Sequence, residues 1–110
     1  MAFNEITDQT ALDALFTKSE QEPVLLFKHS LTCPISHGAH EEMSLMPDEV
    51  NMIVVQDSRP LSNEIERRTG IEHESPQLII LKDGAQVWNA SHGDITKASV
   101  TRAMSEIESK

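Results

Sequence analysis

The sequence predicts an α/β fold in which helices flank a central four-stranded mixed sheet. In the first half, apolar runs typical of buried strands alternate with segments of helical periodicity. In the second half, two apolar runs enclose Asp83-Gly84, a dipeptide typical of tight β-hairpin turns. The chain has 110 residues, of which 38% are hydrophobic. This length is enough for a single domain, predicted to span residues 1–110.

An N-terminal cap predicts the start of the first helix, and a proline predicts the start of the first strand. Thr7 and Asp8 are both good N-terminal caps, and residues with an apolar stripe at helical spacing follow them. Pro23 then opens a strand that is expected to continue to about His29. Its apolar character is typical of a buried central strand.

The second helix is expected to begin near Cys33 and to end at Pro47. Pro34 suits the first helical position, because its missing N–H would have no intrahelical partner there. The apolar positions at helical spacing are Ile35, Ala39, Met43 and Met46. A second strand is expected over residues 51–56.

The remaining elements follow in the order helix, strand, strand, helix. Pro60 opens the third helix and Gly70 stops it. Two strands, around residues 78–81 and 86–89, form the hairpin. Asp94 is expected to cap the last helix. A βαβ unit followed by a hairpin and a terminal helix is the thioredoxin-like arrangement, with the first two strands parallel and the hairpin antiparallel.

Cys33 is the only cysteine of the chain, and its position indicates redox chemistry. A helix N-terminus favours a negative charge by about 0.3–1 kcal/mol, and the thiolate is the reactive form of cysteine. Ser36 occupies the position at which a Cys-x-x-Cys dithiol has its second cysteine. We therefore predict that Cys33 is the catalytic nucleophile of a one-thiol redox protein that needs an outside thiol. The alternative is a buried, inert cysteine.

Four polar residues are candidates to influence this thiol. Ser36 and His37 are candidate stabilisers of the thiolate, since His37 is one helical turn from Cys33. Ser36 could equally be a solvent-facing helical serine. Lys28 and His29 end the preceding strand and could approach the thiol from the other side.

No metal site is predicted, although Cys33, His37 and His40 could meet on one helical face. A structural zinc site normally has four protein ligands, with cysteines in closely spaced pairs. A chain with one cysteine cannot supply such a pair.

The composition disfavours several functions. The formal net charge of −9 disfavours binding to nucleic acid or to an anionic membrane surface. No run approaches the roughly 20 apolar residues of a membrane span, and residues 1–5 do not resemble a signal peptide. With a single cysteine, these features predict a protein of the reducing cytoplasm.

Pro76 directly precedes the third predicted strand. A proline at a strand edge is compatible with a cis peptide after Ser75. The residues alone favour the trans form, because cis accounts for only about 5–6% of such bonds.

Several stretches along nearly the whole chain make it resemble the monothiol bacilliredoxins, thioredoxin-fold proteins of the bacillithiol redox system in Gram-positive bacteria. The stretches are residues 28–30 (KHS), 32–36 (TCPIS), 59–63 (RPLSN), 73–77 (HESPQ) and 91–92 (SH). The resemblance strengthens the prediction that Cys33 is the nucleophile. It also implies that Pro76 is the cis-proline facing it, and that Ser75 offers its backbone to a bound disulfide partner as an added strand.

The resemblance further implies removal of bacillithiol from S-bacillithiolated proteins through a mixed disulfide on Cys33. Bacillithiol would be a co-substrate, no cofactor would be bound, and a second bacillithiol or another redoxin would release Cys33. Bacillithiol carries a malate group, so Lys28, Arg59 and His37 are candidates to bind its carboxylates. The alternative is that they are ordinary surface charges.

Two other functions remain open from the sequence. One is a non-catalytic thioredoxin-fold binding or redox-sensing module in which Cys33 is an oxidation site. The other is an iron–sulfur carrier of the monothiol glutaredoxin type, although the Cys-Gly-Phe-Ser motif of those proteins is absent.

Overall fold

Four helices flank a five-stranded sheet in the computed structural model, which describes residues 3–109. Met1, Ala2 and Lys110 belong to the predicted domain but lie outside the described residues. The strands are β1 (Phe3–Glu5), β2 (Val24–His29), β3 (Val50–Val54), β4 (Gln77–Lys82) and β5 (Ala85–Ser91). The helices are α1 (Gln9–Lys18), α2 (Pro34–Ser44), α3 (Arg59–Thr69) and α4 (Lys97–Glu108), and a short 3-10 helix spans His92–Asp94.

The sheet has the strand order β1-β3-β2-β4-β5. Strands β1 and β2 run parallel to β3, and β4 runs antiparallel to both β2 and β5. The predicted mixed sheet is confirmed, but the prediction of four strands was one strand short. The missing strand is β1, which pairs Phe3 with Val50 and Glu5 with Met52. Three residues are too few to display the period of two by which a strand is recognised.

Side-chain hydrogen bonds to the backbone determine which residues cap α1 and α4. Asp8, and not Thr7, caps α1, because its carboxylate accepts the N–H of Ala11 at 2.8 Å. The prediction that Asp94 caps the last helix was wrong. Thr96 caps α4 instead, in a reciprocal capping box with Ser99 that satisfies two backbone N–H groups.

The hairpin turn between β4 and β5 is the predicted Asp-Gly turn. Asp83 and Gly84 have φ angles of 56° and 76°. A type I′ turn requires positive φ at both central residues, and its twist matches that of the flanking strands. The sequence signal for this turn is therefore confirmed.

Two apolar clusters lie on opposite faces of the sheet. Leu25 and Phe27 belong to the cluster under α2 and α4, whereas Leu26 belongs to the cluster under α1 and α3. Because side chains alternate along a strand, Lys28 continues the face of Leu26 and His29 continues the face of Phe27. The parity of β2 thus sends two adjacent polar residues to opposite sides of the sheet.

Helix α2 buries only part of its predicted apolar stripe. Ala39 and Met43 are buried as predicted, and so is Met46, which lies two residues beyond the end of α2, but Ile35 is 53% exposed. Ile35 lies in the first turn of α2, close to Cys33 and beyond the reach of the core. Within residues 3–109, no helix is both long and apolar enough to span a membrane.

Candidate active site

The residues predicted to carry function lie along one edge of the sheet. Strands β2 and β3 end at this edge, and β4 begins there because it runs antiparallel to β2. Helices α2 and α3 begin just beyond it, at Pro34 and Arg59. The predicted residues that reach this edge are Lys28, Cys33, Ser36, His37, Arg59, Ser75 and Pro76.

Cys33 is a half-buried free thiol at the N-terminus of α2. It is the N-terminal cap of the helix, with extended backbone angles, and its carbonyl accepts the N–H of His37 at 3.2 Å. Its side chain makes no capping hydrogen bond. The helix N-terminus therefore supplies positive electrostatic potential beside a sulfur that is open to reaction.

Gln56 holds the loop that leads to Cys33, and sequence reasoning missed this residue. Its side-chain amide donates to the hydroxyls of Ser30 at 2.8 Å and Thr32 at 3.3 Å. Its carbonyl oxygen accepts the N–H of Leu31 at 3.2 Å. The only available signal was a polar residue at the end of a strand predicted to run parallel to β2. These three bonds fix the loop that presents the thiol.

Ser36 is fully buried, so the alternative of a solvent-facing serine was wrong. Its hydroxyl oxygen accepts the N–H of Ser30 at 2.9 Å and lies 2.7 Å from Nδ1 of His29. Because the oxygen already accepts one bond, its proton is free to be donated to an unprotonated His29. The hydroxyl is thus used to join the end of β2 to the first turn of α2, and stabilisation of the Cys33 thiolate by Ser36 stays a prediction.

We call His29, His37 and His40 the histidine face. The His29 ring lies 4.8 Å from the His40 ring and 5.9 Å from the His37 ring, measured between centroids. Burial, reinforced by His40 and His37, lowers the pKa of His29 to about 4. Burial also lowers the pKa of His40. His29 is therefore neutral at pH 7, the state in which its Nδ1 can accept the hydroxyl proton of Ser36.

The histidine face borders an open cleft of about 340 Å³, which Leu31 and Glu41 also line. His37 is exposed, and its Nε2 donates to the Leu31 carbonyl at 2.9 Å. In this arrangement the imidazole is directed to the loop before Cys33. A role of His37 at the thiolate or at a substrate carboxylate stays a prediction.

Lys28 lies on the other side of the sheet, and we call Lys28, Ser75 and Gln77 the lysine face. Lys28 is fully buried, and Gln77 is its cross-strand partner. In the described part of the chain, the Nζ of Lys28, the Oγ of Ser75 and the Oε1 of Gln77 are buried without a hydrogen-bond partner. Burial shields the ammonium of Lys28 from a ligand at the surface.

Burial also perturbs the titration of the lysine face. Desolvation lowers the pKa of Lys28 to about 8, against the opposing influence of Glu66 and Glu74. Lys28 therefore remains mostly protonated at pH 7.

Two more basic residues lie near the lysine face. They are Arg59, the first residue of α3, and His73, which follows α3. Burial, followed by the charge of Lys28, lowers the pKa of His73, and Arg59 adds to the effect. Nδ1 of His73 lies 3.2 Å from the hydroxyl of Ser62. Arg59 is exposed at the N-terminus of α3. It is thus a cation at this edge that a ligand in solution can reach.

The peptide between Ser75 and Pro76 is cis, as the family resemblance implied and contrary to the expectation from the residues alone. Within residues 3–109, the N–H and the C=O of Ser75 pair with no other backbone group. The Pro76 carbonyl accepts the N–H of His92 at 3.0 Å, and the 3-10 helix that begins at His92 packs against α2. The Ser75–Pro76 segment thus lies at the same end of the molecule as the start of α2.

As for metal ions, the described portion of the chain contains no group of three or more His, Cys, Asp or Glu side chains arranged to hold one. The His29 ring is tilted against the rings of both His37 and His40.

Comparisons with known proteins agree with the fold described above. A family model described as monothiol bacilliredoxin BrxC matches residues 4–100. A solved structure described as a suspected oxidoreductase with a thioredoxin fold has 31% sequence identity and a TM-score of 0.84, covering 92% of each chain. Thioredoxin from Fasciola hepatica has 11% identity and a TM-score of 0.73, covering 94% of this chain and 97% of its own. Thioredoxin from Trypanosoma brucei brucei has 8% identity and a TM-score of 0.78, covering 99% and 93%. The two thioredoxins show the fold alone.

Proposed function

This chain belongs to the monothiol bacilliredoxin family of thioredoxin-fold thiol–disulfide oxidoreductases, and from that premise we propose that it removes bacillithiol from S-bacillithiolated proteins. The observation that carries the proposal is the half-buried thiol of Cys33 at the N-terminus of α2, in a sequence with no second cysteine. A lone thiol there can exchange with a mixed disulfide but cannot close an internal one.

In the first step, the Cys33 thiolate attacks the bacillithiol sulfur of the mixed disulfide. A disulfide forms between Cys33 and bacillithiol, and the old disulfide breaks. The sulfur of the target protein leaves as a thiolate with the bonding electron pair. The helix N-terminus lowers the cost of negative charge on Cys33 before the attack.

In the second step, an outside thiol releases Cys33. A second bacillithiol thiolate attacks the bacillithiol sulfur held on Cys33, which leaves as a thiolate, and oxidised bacillithiol disulfide is the product. Another redoxin could supply the attacking thiol instead. The protein needs no bound cofactor for either step, and bacillithiol is a co-substrate in the reducing cytoplasm.

The residues around the thiol suit a ligand that is part protein and part anionic small thiol. Leu31 and Ile35 flank Cys33 and are 51% and 53% exposed, so they can contact an apolar side chain of a target protein. Arg59 is an exposed cation suited to the carboxylates of the malate group. Lys28, being buried, would act on them through its field rather than by contact.

The backbone of Ser75, which pairs with no other backbone group among residues 3–109, suits the protein part of the substrate. Its N–H and C=O can pair with an extended segment of the target protein, in the manner of an added β-strand. Pro76, next to it, would pack against the disulfide.

Intact-mass spectrometry tests the proposal. The reduced protein is incubated with a bacillithiolated substrate protein, and we expect Cys33 to gain the mass of one bacillithiol as the substrate loses it. Cys33→Ser should show no gain and should leave the substrate modified. A glutathionylated substrate is the matched control for the identity of the small thiol.

Two results would contradict the proposal. Transfer of glutathione in preference to bacillithiol would assign the protein to a different thiol system. No transfer of either, with Cys33 confirmed as free, would favour a binding or redox-sensing module.

A further inference from the structure

His92 bonds to the residues on both sides of Ser75. Its backbone N–H donates to the carbonyl of Pro76 at 3.0 Å. Its side-chain Nε2 lies 3.0 Å from Oε1 of Glu74. One residue thus contacts positions 74 and 76, whereas the backbone groups of Ser75 between them are unpaired within residues 3–109.

The backbone of His92 is held in an uncommon conformation to make these contacts. Its φ angle is 54°, in the left-handed region that residues other than glycine seldom adopt. The preceding residue, Ser91, pairs in register with Gln77, which directly follows Pro76. The end of β5 therefore pairs with the start of β4. The left-handed conformation of His92 lies directly after this pair, where its N–H reaches the carbonyl of Pro76.

The His92–Glu74 contact contributes little to global stability. The two side chains are about half exposed, at 50% and 41%, and polar contacts at the surface are weak even when both partners are charged. Its position beside an unpaired backbone segment indicates a local role instead. A segment that must accept an added strand binds more tightly when its backbone is already held in place.

We propose that His92 is a positioning residue that holds the Ser75–Pro76 segment in the conformation that pairs with an extended peptide segment around the target cysteine. This inference deepens the proposed function and rests on its assumption that Ser75 receives a protein substrate. It identifies the recognised class as a polypeptide backbone rather than the small thiol, because a small thiol has no strand to add.

The test compares two disulfides of the same thiol. Cys33 is equilibrated between a mixed disulfide with a blocked nonapeptide that has a central cysteine and a mixed disulfide with 2-mercaptoethanol. We expect the wild-type protein to favour the peptide. His92→Asn tolerates the left-handed conformation and keeps the backbone N–H, but it lacks the imidazole. It should reduce the preference for the peptide roughly fivefold, the typical effect of one hydrogen bond.

Three further measurements separate positioning from other roles. Glu74→Gln should also reduce the preference, and combining it with His92→Asn should add little further loss. Glu72→Gln, a change of an exposed carboxylate in the same loop, should have no effect. Alkylation of Cys33 by iodoacetamide should proceed at the same rate in wild type and His92→Asn.

An unchanged peptide preference in His92→Asn would overturn the inference, as would a wild-type protein with no preference. A change in the iodoacetamide rate of His92→Asn as large as its change in peptide preference would also overturn the inference, because His92 would then act on the thiol. Failure of the proposed function has a different signature. The peptide preference and its loss in His92→Asn would persist, while bacillithiol would not be transferred.

Discussion

Lys28 and His29 are neighbours in β2, yet they show two different outcomes of burying a base. Burial lowers the pKa of both side chains, to about 8 for Lys28 and about 4 for His29. Since histidine begins near 6.5, this shift leaves His29 neutral at pH 7, and its Nδ1 is bonded to Ser36. The pKa of lysine is ordinarily near 10.5, so Lys28 remains mostly charged, and its Nζ has no hydrogen-bond partner in the described part of the chain.

The difference shows that, among the described residues, the buried polar groups are hydrogen-bonded on one face of the active-site edge and lack partners on the other. On the histidine face, His29, Ser36 and the N–H of Ser30 satisfy one another and join β2 to α2. On the lysine face, the buried Nζ of Lys28, Oγ of Ser75 and Oε1 of Gln77 have no hydrogen-bond partner within residues 3–109. A satisfied network stabilises the fold, whereas an unpaired buried charge lowers its stability. Each of the following predictions tests that contrast.

The largest effect is expected from removing the charge on the lysine face. Lys28→Met keeps much of the side-chain volume and needs no partner. At pH 7 it should raise the free energy of unfolding by up to about 3 kcal/mol, because a pKa lowered from 10.5 to about 8 is a destabilisation of that order. Urea denaturation at pH 7 measures it.

The pH dependence checks that the charge is the cause. Between pH 8 and 10.5 the unfolded state holds a proton that folded Lys28 has lost, so wild-type stability rises with pH in this window. The advantage of Lys28→Met should therefore shrink there. Lys82→Met, at the far end of β4, should change stability by less than about 0.5 kcal/mol. A destabilised Lys28→Met protein would show that the ammonium is satisfied in solution.

The histidine face should lose stability in acid. Below pH 6.5 unfolded histidine takes up a proton, whereas folded His29 does not until about pH 4, so the unfolded state binds more protons. Stability should fall by about 2 kcal/mol between pH 7 and pH 5 on this account. His29→Phe retains a ring to stack on Phe27, 5.6 Å away, and cannot be protonated.

His29→Phe should be less stable than wild type at pH 7, since Ser36 loses its partner, but it should lose less stability on acidification. The difference between the two proteins in denaturation curves at pH 7 and pH 5 isolates His29 from the other histidines. If the two proteins lost stability in parallel, His29 would already be protonated in the fold.

The smallest effect is expected from deleting one hydroxyl on each side of the sheet. Ser36→Ala leaves the N–H of Ser30 and Nδ1 of His29 unpaired in the interior, and should cost about 1–2 kcal/mol. Ser62→Ala removes a single, longer contact to His73 and should cost about 0.5 kcal/mol. Thermal denaturation compares them. Equal losses would contradict the view that the histidine face is the better satisfied one.

Much of the fold was predictable because its signals are local. The alternation of apolar runs and helical stripes indicated the order of elements after β1, and Asp83-Gly84 indicated the hairpin. Strand β1 was missed because three residues show no period, and only its pairing with β3 defines it. The cap of α4 was misassigned, because Asp94 and Thr96 are both good caps and the choice depends on the reciprocal bonds of Ser99.

The position of the thiol in the candidate site was predictable from the sequence, but the contacts around it were not. The lone Cys33 before Pro34 is a sequence feature, and the resemblance carried by residues 73–77 indicated the cis-proline. Gln56 was missed because its bond to Leu31 joins residues 25 positions apart, in different strands and loops. No local pattern encodes such a pair.

By itself the sequence determined a thioredoxin-like fold with one thiol at a helix N-terminus, since period, caps and turn residues act over a few positions. Only the tertiary structure decided which polar groups are satisfied. Among residues 3–109, Ser36 is hydrogen-bonded to His29, Lys28 is buried without a partner, and His92 contacts both neighbours of Ser75. The physical reason is that the energy of a buried polar group depends on the atoms that packing brings beside it, and those atoms belong to distant parts of the chain.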